Sequence, residues 1–316
     1  MEIPETTPEQ GAGSQPSPVY DGSWENKGRS LPAAAVLGLL GIGVLYFNAQ
    51  TILALLGVFI AASASPGAEV GGNFAERLVA IIRLYAEPIR LALLISQYLF
   101  MLYPAWWLVK KWHTRQVREY IRLRGCSAGE ILLAVLATLA VIPFSEYLTA
   151  QLIRQLEIPD TLFKINAELF TAYSFPEFLW LVLVVAVTPG ICEEIFFRGY
   201  AQRTFERTLK GKSVWIVGII FGLYHMQPLG LLSLSLLGIL FGYFYYRSRS
   251  LLPGMAAHFS NNFLVLWILY RSPQPGGVDL AANQPVPFSW VLITLPVALA
   301  VLYLYHRITA PQRRRL

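Results

Sequence analysis

The feature that most restricts this chain is a series of long apolar runs punctuated by short basic clusters. The first run, from Leu31 to Ser65, holds no charged residue. A stretch of about 18 or more apolar residues is long enough to cross a bilayer as a helix. Hydrophobic residues make up 55% of the 316, charged residues only 14%, and mean hydropathy is +0.50. Those values lie well outside the range of a soluble domain of this size. The expected class is all-α, a polytopic membrane helical bundle of about eight transmembrane helices. Residues 1–30, rich in Pro, Ser, Gly, Thr and Glu, cannot bury enough apolar surface to fold and are expected to be a disordered cytoplasmic tail. The run that follows is too long for a signal-peptide core.

The basic clusters orient the runs. Lys110, Lys111, Arg115, Arg118, Arg122 and Arg124 follow the second run, Leu91 to Val109, against the single acid Glu119. Arg203, Arg207, Lys210 and Lys212 follow the fourth, and Arg247 with Arg249 the sixth. Such clusters sit on the cytoplasmic side of a membrane, so the net charge of +6 reads as membrane orientation and not as nucleic-acid binding. Residues 31–130 then comprise the N-terminal spans and a basic cytoplasmic linker, 131–307 a membrane domain, and 308–316 a basic C-terminal tail. Both termini are expected in the cytoplasm, with a bacterial inner membrane as the setting. Arg77, Arg83 and Arg90 fit this scheme poorly, lying in a segment, 66 to 90, read as a short surface helix on the outer side. A third span from Ile131, carrying Pro143, is expected to leave the membrane before Arg154. Cys126 and Cys192 are too few and too far apart for a disulfide framework or a thiolate metal cluster. The aromatic runs Phe241 to Tyr246 and Trp106-Trp107 read as interfacial belts or lipid-facing surface, and His113 and His306 as interfacial groups.

Within the run from Phe178 to Phe197 the apolar pattern is broken by Glu193 and Glu194, with Arg198 one turn on. An ionisable side chain at bilayer depth costs about 2.5–3.5 kcal/mol on insertion scales, so it faces protein or a wet cavity. Glu194 and Arg198 stand at i and i+4 on a helix, close enough to pair, while Glu193 points about 100° away. One acid can be held by the arginine and the other left for chemistry. Glu193 lies fourteen residues before Arg207, His225 thirteen after Lys212, and His258 nine after Arg249. At 1.5 Å per residue these put the three at about 21, 20 and 14 Å from the same side. Asn262 follows His258 by one turn, and Gln227-Pro228-Leu229-Gly230 separates a fifth span carrying His225 from a sixth. Carboxylates, imidazoles and an amide at one level form a catalytic inventory.

Three ordered motifs carry a resemblance. Glu193-Glu194-Ile195-Phe196-Phe197-Arg198 fits Glu-Glu-x-x-x-Arg, Phe221-Gly222-Leu223-Tyr224-His225 fits Phe-x-x-x-His, and His258-Phe259-Ser260-Asn261-Asn262 fits His-x-x-x-Asn. In these the chain resembles the type II CAAX prenyl endopeptidases and their bacterial relatives, the CPBP or Abi family of intramembrane proteases. The resemblance covers residues 178 to about 270. It implies an eight-helix bundle and an endopeptidase acting on membrane-embedded or lipid-anchored peptides, CAAX-type proteins among them. Glu193 and His225 would activate a water, Glu194 and Arg198 orient the site, and His258 with Asn262 hold the oxyanion.

Other readings compete with this one. An ion network of Glu193, Glu194 and Arg198 could simply hold the bundle together, and a lone histidine in a span is usually a packing residue. Cys192, Ser260 and Asn261 read as packing groups or supports. No cofactor is expected; the alternative is zinc on Glu193, His225 and His258 with a water in the fourth place. Against zinc stand the lack of His-Glu-x-x-His and the poor ligand character of Asn262. The alternatives to a protease are a membrane partner of the bacteriocin-immunity type without catalysis and a proton-coupled transporter.

Overall fold

A computed structural model of the chain describes residues 19–64, 71–156, 168–228, 230–271 and 286–310. Their regular structure is all helix, with no strand among the described residues. The helices are α1 (Leu31–Ala64), α2 (Phe74–Leu84), α3 (Ala86–His113), α4 (Val117–Ile121) and α5 (Ala128–Leu156). They continue as α6 (Phe175–Leu209), α7 (Lys212–Tyr224), α8 (Leu231–Ser248), α9 (Leu252–Arg271) and α10 (Phe288–Ile308). Five of them, α1, α3, α5, α6 and α10, are long and apolar enough to cross a membrane. The three that fall short of the expected eight are α7, α8 and α9. α7 is only 13 residues long. α8 and α9 are diluted by serines, tyrosines and arginine, and α9 also by His258 and the two asparagines.

α6 is the centre of the packing, touching α1, α3, α7, α8 and α9. One buried cluster joins Leu39, Met101 and Ile121 to Phe196, Phe197, Tyr200 and Phe221. The N-terminal helices α1, α3 and α4 are thus packed onto α6 in one core. Two tyrosines make that attachment directional. Tyr200 donates its hydroxyl to the Ala34 carbonyl of α1 at 2.6 Å, and Tyr224 donates to the Leu39 carbonyl. Gly38 leaves room for the first, since a Cβ there would lie 2.0 Å from the Tyr200 hydroxyl. α5 packs with α10 and against α8 and α9, around Ala134, Ala137, Phe244 and Tyr305.

Two expectations about aromatic and histidine positions are corrected. Phe241, Phe244 and Tyr245 are buried in the bundle rather than lipid-facing. α8 is an inner helix, and the inner face of a membrane bundle is as apolar as the face that meets lipid. His113 is likewise fully buried, with Nδ1 2.7 Å from the Glu25 carboxylate. α5 also runs past Arg154 to Leu156, with Pro143 inside it.

The end of the bundle opposite the basic clusters accounts for the misplaced arginines. α2 begins with a capping box between Asn73 and Glu76, and Arg77 bonds the Gly72 carbonyl. Arg83 pairs with both oxygens of Glu168 at 2.5 and 2.9 Å. Arg90, buried at the start of α3, pairs with Glu87 and Glu177 and bonds the Leu169 and Thr171 carbonyls at 2.9 Å. Arg83 and Arg90 are thus neutralised locally, so these two do not act as free orientation signals.

The expected tail of residues 1–30 is also corrected in part. Residues 1–18 lie outside the described residues, but 19–30 form a strap across the basic end of α3 and α6. A helix end leaves its last carbonyls without intrahelical partners. The strap supplies them: the Gly22, Ser23 and Trp24 amides donate to the carbonyls of His113, Lys111 and Trp112 at 2.9–3.0 Å. Trp24 packs on Trp112 with ring centroids 4.9 Å apart, and Arg207 lies 3.7 Å above the Tyr20 ring. Two aromatic anchors and a set of open carbonyls thus hold a segment whose aliphatic content is too low to fold by itself.

Burial alone would raise the Glu25 carboxyl, but hydrogen bonds from Arg207 and from His113 hold it below the ordinary carboxylate value. Its contribution to stability is therefore complete above the unfolded value of about 4.3 and is lost as the pH falls through the lower folded value. Glu25→Gln is expected to cost about 1 kcal/mol of stability at pH 7. The difference in melting temperature from the wild type should close as the pH is taken below about 4. A difference that does not change with pH would contradict the contact.

Candidate active site

α6 carries both glutamates and is not a uniform helix. It starts at Ser174, whose hydroxyl accepts from the Glu177 amide, and passes through a π-helical stretch, Val182–Val187. A regular turn, Thr188–Glu193, follows, and then a second π-helical stretch, Glu194–Gln202. Such widened turns change which face a side chain occupies and recur at functional positions. Glu193 ends the regular turn and Glu194 begins the widened one, and the two carboxylates meet different histidines.

Glu194 is fully buried and closed off. Its Oε1 accepts from His258 Nδ1 at 3.1 Å, and its Oε2 lies 3.2 Å from Arg198 Nε. The arginine contact is an ion pair without an aligned hydrogen bond, since none of the three Arg198 nitrogens has a hydrogen-bond partner among the described residues. The guanidinium instead lies 4.9 Å above the Phe221 ring, a cation–π contact strengthened by desolvation. Gly254 of α9 admits this arrangement, because a Cβ there would be 3.0 Å from Glu194 Oε2. His258 stacks on Phe241 at 5.1 Å, which fixes its ring.

Glu193 is open by comparison. Its Oε2 is 4.0 Å from His225 Nε2 and has no hydrogen-bond partner among the described residues. His225 lies just past the last residue of α7, at its C-cap, and not within a span as the spacing suggested. Its Nδ1 is 2.9 Å from the Phe221 carbonyl. A carbonyl can only accept, so that nitrogen carries the proton, and in the neutral imidazole Nε2 presents its lone pair towards Glu193. Phe221 separates the two pairs, its ring 4.7 Å from His225 and 5.7 Å from His258.

Asn262, the sixth expected residue, lies one turn after His258 on α9 and bonds none of the other five. Its side-chain amide donates to the Val185 carbonyl at 2.7 Å and accepts from Asn261. Val185 lies in the first π-helical stretch, so Asn262 ties α9 to the irregular part of α6. The three residues of the zinc alternative are divided between the two carboxylates, His225 lying near Glu193 and His258 near Glu194. His258 turns to Glu194 rather than Glu193, and no group of three or more His, Cys, Asp or Glu residues suited to a metal ion occurs among the described residues. An open apolar groove of about 300 Å3 runs beside the Thr188–Glu193 turn, lined by Ile131, Val187, Ile191, Leu252, Met255 and Phe259.

One neighbour was missed from the sequence. Gln97 of α3 is buried with Nε2 3.5 Å from Glu193 Oε1. Its signal was present: it lies thirteen residues before Lys110, about 20 Å from the basic end, the depth expected of Glu193. Removing one member of a buried ion pair leaves the other charge uncompensated, so Arg198→Met is expected to cost about 3–5 kcal/mol. Thermal unfolding in detergent checks this, and an unchanged melting temperature would show that Arg198 is not needed to balance Glu194.

No curated protein and no solved structure matches the chain. A family model does: residues 175–264, less than a third of the chain but including all six expected site residues, match the model described as type II CAAX prenyl endopeptidase Rce1-like.

Proposed function

We propose that the chain is an intramembrane endopeptidase that hydrolyses peptide bonds of membrane-embedded or lipid-anchored substrates with a water activated by Glu193 and His225. The observation that carries this reading is the unequal treatment of the two adjacent glutamates. Glu194 is consumed by Arg198 and His258, whereas Glu193 keeps an unpartnered oxygen 4.0 Å from a histidine lone pair. That separation is too long for a direct hydrogen bond and suits two acceptors that hold the same water. A water donating one hydrogen to Glu193 and the other to His225 presents its lone pair to a peptide carbonyl.

In the proposed reaction Glu193 takes the water proton as the oxygen attacks the carbonyl carbon. The tetrahedral oxyanion that forms is held by His258. Its Nδ1 proton is committed to Glu194, so donation from Nε2 needs the second ring proton, and the Glu194 carboxylate is the anion that supports that charge. Breaking the carbon–nitrogen bond then returns the Glu193 proton to the leaving amine. Asn262, placed on Val185, supports the α6 geometry and has one further amide hydrogen to offer the oxyanion. The match to an Rce1-like domain supports a protease acting at a membrane. α7, α8 and α9 complete eight crossings in this proposal, with the basic ends facing the cytoplasm.

The test is cleavage of a quenched-fluorescence lipidated peptide by purified protein in liposomes. His225→Ala is expected to reduce kcat by about 10²–10⁴-fold, the usual worth of a positioned acid–base group. A second expectation concerns metals: wild-type cleavage should survive dialysis against a strong chelator. Loss of activity on chelation, restored by zinc, would overturn the metal-free mechanism.

A further inference from the structure

Gln97 lies on α3, outside the residues matched by the family model, yet reaches the open glutamate across the bundle. α3 packs against the Thr188–Glu193 turn at this level, and a π-helical stretch, Gln97–Leu102, begins at the glutamine itself. Widened turns form less readily than regular helix and mark functional positions. The side chain is buried, and its Oε1 has no hydrogen-bond partner among the described residues. Leaving an amide oxygen unmet in an apolar interior costs about 1–3 kcal/mol, so packing alone is a poor reason for a glutamine here.

The chemistry of an amide suits the position. The two oxygens of Glu193 are divided, Oε1 towards Gln97 Nε2 at 3.5 Å and Oε2 towards His225 Nε2 at 4.0 Å. The first distance is at the outer limit of a hydrogen bond, as is common in catalytic sites before substrate binds. A donor on one oxygen fixes the carboxylate torsion and thereby aims the other oxygen. Lysine or arginine would do so too, but would add a charge that weakens the base. An amide donates without charge and cannot accept the proton that Glu193 must carry. The Tyr46 hydroxyl of α1 lies within hydrogen-bonding reach of the Gln97 and Ser96 side chains.

We infer that Gln97 is a positioning residue of this centre: its amide nitrogen holds Glu193 Oε1 so that Oε2 faces His225 and the water both would hold. The inference rests on the reading of Glu193 as the base. Gln97→Met keeps the approximate shape and removes the donor; Gln97→Leu also removes it, with a smaller apolar side chain. Both are compared with wild type and Glu193→Gln in the peptide assay and in thermal unfolding. A lost hydrogen bond to a charged group corresponds to a fall in kcat of about tenfold or more, with KM unchanged. A purely structural role would lower melting temperature and yield while leaving kcat per folded molecule intact, and that result overturns the inference. If Glu193→Gln is inactive while both Gln97 variants keep wild-type kcat, the inference fails and the proposed reaction stands. If the wild type cleaves nothing, the proposed reaction fails, and the contact is judged by a double-mutant cycle of Gln97→Met and Glu193→Gln in thermal unfolding. Non-additive losses then support the contact, and additive losses overturn it.

Discussion

The contact on which the rest of the structure depends is the buried ion cluster of Glu194, Arg198 and His258. Each member alone would be prohibitively expensive inside an apolar bundle. Together they give the bundle a fixed arrangement, because α6 and α9 must stay in register for the carboxylate to meet the imidazole at 3.1 Å. The aromatic rings of Phe221 and Phe241, from α7 and α8, complete the enclosure. Four helices thus converge on one carboxylate, and its neighbour Glu193 inherits a rigid setting without sharing the cluster's neutralisation.

The same logic governs the two ends of the molecule. Arg90 and Arg83 at one end are held by Glu177, Glu87 and Glu168. At the other, Glu206 accepts both guanidinium nitrogens of Arg122 at 2.8 Å and pairs with Arg249, joining the segment after α3 to the turn before α9. The Glu25 strap then closes over Arg207. Ionic contacts at the ends and in the middle fix how apolar helices sit against one another, a specificity that apolar packing in lipid supplies weakly.

The residues legible in the sequence are those whose partners lie within a turn or two. Glu194 with Arg198 and Phe221 with His225 are spaced at i and i+4 and meet in the structure. Partners distant along the chain were not legible. Gln97 and Glu193 are 96 positions apart, and only their similar counts to the basic clusters place them at one depth. Asn262 was placed on the correct helix, but its bond to Val185 depends on a π-helical stretch that no spacing rule announces. The strap was misread for a different reason: composition measures what a segment can bury alone, and this segment is held by carbonyls and rings belonging to other helices. The burial of Phe241, Phe244 and Tyr245 was invisible because inner and lipid-facing surfaces share one composition.

The central claim is that two adjacent glutamates do different work, one chemical and one structural. It is tested most directly by measuring peptide cleavage and thermal unfolding on Glu193→Gln and Glu194→Gln side by side. The account predicts that Glu193→Gln abolishes cleavage while melting near the wild-type temperature, and that Glu194→Gln melts well below it because Arg198 loses its anion. A stable Glu194→Gln protein, or a Glu193→Gln protein that still cleaves, would contradict the division.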